Sequence, residues 1–227
     1  MMKNLRIVLA LIILTGLISC NSNKHGRIDL GLDMDLSKVF NAREIESLAV
    51  MVEFVDSAVV SITGNKNIEN AYHDYFEAYI TSLKAEQKRT LPFDEKEKYD
   101  FLERLDRGVF EAIWRFDKHK DQLQYRDSTL INVDYIKCLT LNHTGRYMEY
   151  LKLTAQKDNR YKGVYEMIEA MGDFPTSAGL PKHKDFDFGR VRNRLFAAVF
   201  ILRIEESYET KLDRYFNQEN VMKHALQ

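Results

Sequence analysis

From Ala42 onward, Ile45, Leu48, Val52, Val55, Val59 and Ile62 recur at alternating steps of three and four, with Met51 and Ala58 widening the stripe. That period puts them on one face of an amphipathic helix, which Gly64-Asn65 ends. The segment from Ile68 to Glu86 repeats the pattern with aromatics, placing Tyr72, Tyr75 or Phe76, Tyr79, Ile80 and Leu83 on one side. Thr90-Leu91-Pro92-Phe93 interrupts the chain, and Asp94 with Glu97 three residues later forms a capping-box-like start. The helix predicted after it carries Phe101, Leu102, Leu105, Val109, Ile113 and Phe116.

The pattern weakens after Lys118. Leu130, Val133, Ile136 and Leu139 fit a helical face, although the β-branched residues among them keep a strand open. Tyr147, Tyr150 and Leu151 resume the helical period, and Tyr161, Val164, Ile168 and Met171 form another short helix closed by Gly172, which suggests a helical hairpin. Pro175, Gly179 and Pro181 make Gly172 to Gly189 the clearest break in the chain. A last helix, about 188–216, carries Val191, Leu195, Ala198, Leu202, Leu212 and Phe216, and from Leu195 to Leu202 it is apolar nearly all round, as a central helix is. The fold predicted is all-α, six or seven helices in one bundle-like domain spanning 41–227, with no repeat of solenoid length.

The N-terminus reads differently. A basic start, Met1 to Arg6, leads into an apolar run from Ile7 to Ile18 and then Ser19 and Cys20, the layout of a secretory signal and too short for a comfortable membrane span. Because it ends on cysteine, the segment resembles the bacterial lipoprotein signal, with Leu17, Ile18 and Ser19 filling the lipobox and Cys20 as its invariant cysteine. The resemblance covers the first 20 residues and implies removal of 1–19, a diacylglyceryl group on the Cys20 sulfur and acylation of its new amine. Two or three acyl chains make a stable anchor, since each buried methylene contributes about 0.8 kcal/mol. Asn21 stands where enteric lipoproteins held at the inner membrane carry Asp, so the same resemblance favours the outer membrane; the absence of an acidic cluster in Asn21 to His25 points to a domain facing the periplasm. Residues 20–40, with Gly26, Gly31 and little periodicity, read as the lipidated cysteine and a tether.

Charge and cysteine content narrow the partners. Removing 1–19 takes Lys3 and Arg6 from 33 basic residues and nothing from 34 acids, leaving no basic excess for a nucleic-acid partner. A mature chain of about 200 residues buries about 70% of its unfolded surface and needs no staples. None is available, because with Cys20 lipidated the sole remaining thiol is Cys138, whose apolar neighbours suggest a buried, inert group.

No phosphate-binding glycine loop, G-x-S-x-G elbow, H-E-x-x-H helix or paired C-x-x-C occurs, which disfavours the common enzyme classes and names no cofactor or catalytic residue. Glu69, His73 and Glu77, at steps of four, are the best metal candidate, set against a solvated helix edge. Lys182, His183, Phe186 and Phe188 mix charge with aromatics and form a candidate interaction loop, set against core anchoring by the two phenylalanines. Glu205, Glu206 and Glu209 read as exposed, and the many tyrosines as core wedges with wet hydroxyls. The leading functional expectation is a membrane-anchored scaffold that holds an envelope protein, with a toxin-neutralising immunity protein and a domain with an unfamiliar ligand or catalytic site as alternatives.

Overall fold

A computed structural model describes residues 28–85, 90–117, 122–125, 128–131, 138–178, 180, 182–207 and 210–214. Helix α1 (Leu36–Val39) is a single turn, and α2 (Ala42–Thr63) starts at a full capping box: Asn41 accepts the Glu44 N–H while the Glu44 carboxylate accepts the Asn41 N–H. The predicted stripe buries Leu48, Met51, Val52, Val55 and Val59, whereas Ile62 at its end is exposed. Helix α3 (Ile68–Lys84) is capped by Asn67 and packs Tyr72, Tyr75, Phe76 and Tyr79 inward against α2. Gly64 after α2 and Gly172 after a later helix sit at φ 69° and 76°, the left-handed stop that glycine adopts without steric penalty.

The helix predicted through 94–116 divides. Helix α4 (Glu95–Arg104) begins at Asp94, which accepts the Glu97 N–H, and α5 (Arg107–Ile113) begins at Asp106, which accepts from Gly108 and Val109. Trp114–Asp117 then forms strand β1, so Phe116 is a strand residue. Next come β2 (Gln122–Tyr125), β3 (Ser128–Ile131) and β4 (Cys138–Leu141). Strand β1 pairs antiparallel with β4, Trp114 opposite Leu141, and β2 with β3, Gln122 opposite Ile131. Leu130 and Leu139 therefore lie on strands; Val133 and Ile136 fall outside the described residues.

Helices α6 (Arg146–Ala155) and α7 (Asn159–Met171) pack together as the predicted pair. Two single 3-10 turns, Thr176–Ala178 and His183–Asp185, lead into α8 (Val191–Arg203), buried on every side from Leu195 to Leu202. It ends well before 216, and a short helical stretch follows at 210–214. The described residues thus hold eight α-helices, the further helical stretch 210–214 and two minor two-stranded sheets, an all-α domain.

Buried tyrosines supply much of the core; the Tyr147 hydroxyl has no hydrogen-bond partner among the described residues, and others bond protein groups. Tyr72 donates to Asp56, Tyr75 to the Thr90 carbonyl, Tyr79 to the Thr176 carbonyl and Tyr161 to Asn193. Of the tether expected over 20–40, residues 20–27 lie outside the described residues, and the rest is part of the folded body. From Ile28 the chain lies on the helical body, burying Leu30, Leu36 and Phe40, because three apolar side chains and two acids find partners there.

Candidate functional site

Cys20, Leu17, Ile18 and Ser19 lie outside the described residues. The metal candidate is not assembled. Glu77 faces the Lys184 ammonium at 2.6 Å and stands 3.5 Å from His183 Nε2, while His73 packs edge-on against Phe188. Among the described residues no group of three or more His, Cys, Asp or Glu side chains is placed to hold a metal ion.

The loop candidate also reads differently in three dimensions. Phe188 stacks on Tyr72 and Phe76, and Phe186 stacks on Phe196 and meets Tyr161 edge-on, so both are core anchors rather than contact residues. Burial of about two aromatic rings is worth several kcal/mol, which outweighs any benefit of leaving them exposed. His183 is buried too, with Nδ1 lacking a hydrogen-bond partner, and burial, only partly opposed by Glu77, pushes its pKa down. Lys182 alone of the four faces solvent, at φ 54°.

Two ionic assemblies that the sequence did not reveal dominate the structure. The first is a clamp on the segment Leu30 to Leu36. Arg192, at the start of α8, grips Asp33 with both arms of its guanidinium at 2.6 and 2.7 Å; the Tyr150 hydroxyl and the N–H groups of Asp35 and Leu36 complete that carboxylate's shell. Asp35 receives Lys157 at 2.6 Å and Lys38 at 3.2 Å. Burial raises the Asp35 pKa, but the two lysines overcome it and hold the carboxyl below its usual range. Beside and between these inward acids, Leu32 and Met34 face out, 83% and 76% exposed.

The second assembly lies where α8 ends. Glu205 accepts from the Tyr99 hydroxyl at 2.6 Å and from the Leu139 N–H of β4 at 2.8 Å, and pairs with Lys211 at 3.2 Å. Lys211 reaches on to Glu95 at 2.9 Å, Arg214 bridges Glu95 and Glu206, and Lys98 donates to the Ile204 carbonyl at 3.0 Å. Burial lifts the Glu205 pKa, yet Lys211, Lys98, Tyr99 and the Leu139 N–H more than offset it, so the carboxyl stays below its usual range. Glu205 and Glu206, expected at the surface, are instead tied into this cluster; Glu209 falls outside the described residues.

Burial lowers Lys98 to a pKa of about 8, the range of a lysine base or nucleophile. Its surroundings argue against that chemistry: the residue is 1% exposed and its ammonium is spent on Ile204 and Glu205, leaving no approach for a substrate. Cys138, near Glu205, is half-buried, and burial followed by the Glu205 charge pushes its thiol up to about 11, away from the reactive thiolate form.

A third pair joins α2 to α8. Arg194 stands 3.4 Å from Asp56, while burial outweighs that cation and the Tyr72 hydroxyl to raise the Asp56 pKa. At the far end of α8, Arg203 grips Asp173 at 2.6 to 3.0 Å. The clamp and these pairs were invisible to periodicity because their partners lie far apart in sequence, 159 residues for Asp33 and Arg192. The one signal was Leu30-Gly31-Leu32-Asp33-Met34-Asp35-Leu36, where acids and apolar residues alternate. Comparison with family models, curated proteins and solved structures finds no match for this chain.

Proposed function

We propose that the chain is a lipid-anchored envelope protein whose helical domain binds a partner protein at the outer membrane, on its periplasmic side, without catalysing a reaction. The observation that carries this reading is Leu17-Ile18-Ser19-Cys20 at the end of a basic-then-apolar leader. An anchor outside the fold suits the domain, because no helix among the described residues is long and apolar enough to cross a membrane. Among the described residues, the buried ionisable groups of both assemblies are engaged with one another, and Lys98, the group best tuned for chemistry, is sealed.

The test is growth with a palmitate analogue, followed by capture of the protein from detergent-solubilised membranes. Wild type incorporates the label and fractionates with the outer membrane carrying a stoichiometric partner, whereas Cys20→Ser incorporates none and loses both. An unlabelled wild-type chain sinks the anchor; a labelled chain recovered alone sinks the scaffold role.

A further inference from the structure

The stretch Leu30 to Leu36 inverts the ordinary sorting of side chains between interior and water. Asp33 and Asp35 point inward, with side chains 7% and 2% exposed, while Leu32 and Met34 between and beside them point out at 83% and 76%. The arrangement is built, since Leu30 and Leu36 are buried on either side and Arg192, Tyr150 and Lys157 hold the two acids. A chain free to turn over would bury the apolar pair and hydrate the carboxylates. The clamp forbids it.

We infer that Leu32 and Met34 enter the headgroup region of the bilayer that holds Cys20, an inference that rests on the lipid anchor proposed above. The length of chain leading to them fits. Residues 21–27 separate Cys20 from Ile28, so the body begins within about 29 Å of the lipidated residue, and Leu32 follows four positions later. The charge around the pair fits as well. Lys38 and Lys157, each more than half exposed, converge on the single carboxylate of Asp35 immediately behind Met34. Asp29, exposed in the same turn, has its carboxylate turned back onto the Gly31 N–H at 2.9 Å. Projecting apolar tips with exposed lysines behind them are the chemistry of a segment seated at an anionic membrane surface. Seating them would bring the Arg192 end of α8 near the lipid; Arg203 lies eleven residues and about 16 Å further along the helix axis.

The experiment uses the full lipidated chain in vesicles of phosphatidylethanolamine and phosphatidylglycerol. Cys138→Ala removes the remaining thiol, and Leu32→Cys, Met34→Cys or Met171→Cys carries a polarity-sensitive fluorophore. Met171, 62% exposed, adjoins the Asp173–Arg203 end of α8 and serves as the distal reference. Labels at 32 and 34 should shift to the blue on vesicles and lose about half their intensity or more to shallow nitroxide lipids, with the label at 171 unchanged, as insertion of about 5–10 Å requires. A chain that floats with the vesicles while its label at 32 stays as wet as that at 171 overturns the inference and leaves the anchor standing. A blue shift without nitroxide quenching also overturns it, because protein then covers the pair. A chain that does not float removes the anchor, and the inference with it.

Discussion

The clamp at Asp33 and the cluster at Glu205 are made of the same chemistry at opposite ends of α8, yet they differ in where the cations sit. In the clamp both acids are buried, but Arg192, Lys157 and Lys38 reach them from positions 34%, 55% and 56% exposed. In the cluster Lys98, Lys211, Glu95 and Glu205 are all buried, at 2% to 9%, and Arg214, 40% exposed, reaches in from the edge. A half-hydrated cation leaves water ready to replace it, whereas a buried one must be matched or expelled. The clamp is therefore suited to docking an incoming segment, and the cluster to closing the fold once the chain has left α8.

The largest effect that sharpens this contrast is Glu205→Ala, which takes a buried carboxylate from both Lys98 and Lys211 and should lower the unfolding free energy by about 3 kcal/mol or more in urea titrations. Arg192→Ala, read the same way, should cost about 2 kcal/mol, because water enters where the guanidinium was and Tyr150 still donates to Asp33. Equal losses would erase the distinction.

Alkaline pH gives the next effect. Folded Lys98 releases its proton at about 8 and the unfolded side chain near 10.5, so between these values the unfolded chain holds more protons and stability rises with pH. Between pH 8 and 10 the wild type should gain up to about 1.4 kcal/mol per unit relative to Lys98→Met, in which this rise is missing. Flat behaviour of both would mean that Lys98 stays charged.

The smallest effect belongs to Lys157→Ala, about 1 kcal/mol or less at neutral pH. Its signature lies in acid. The Asp35 pKa is held below its usual 3.8, so its stabilisation is complete above that value and is lost as pH falls through the folded pKa; without Lys157 the loss should shrink.

What the sequence made legible was the part of the fold that periodicity controls. The Leu48 to Val59 face of α2, the aromatic face of α3 and the Tyr161 to Ile168 face of α7 stand where spacing put them. The division at Leu105-Asp106 was hidden because the apolar rhythm runs unbroken from Phe101 to Ile113 while Asp106 quietly serves as a cap. Strands of four residues, such as Trp114–Asp117, are too short for a period of two to declare itself. The end of α8 at Ile204 depends on Lys98, 106 residues earlier, which takes the carbonyl at which the helix stops. For the same reason neither assembly was readable: Glu205 looks like any solvated glutamate until Lys211, Tyr99 and the Leu139 N–H are folded around it.

A helix as evenly apolar as α8 has no preferred rotational phase from burial alone, since any side turned to any neighbour buries similar area. Its arginines supply the phase. Arg192, Arg194 and Arg203 each meet an acid on a different segment, Asp33, Asp56 and Asp173, and a slip of one residue turns the helix by about 100° and misdirects all three at once. The central helix is thereby indexed like a shaft with three keyways, and the apolar core around it inherits a single register.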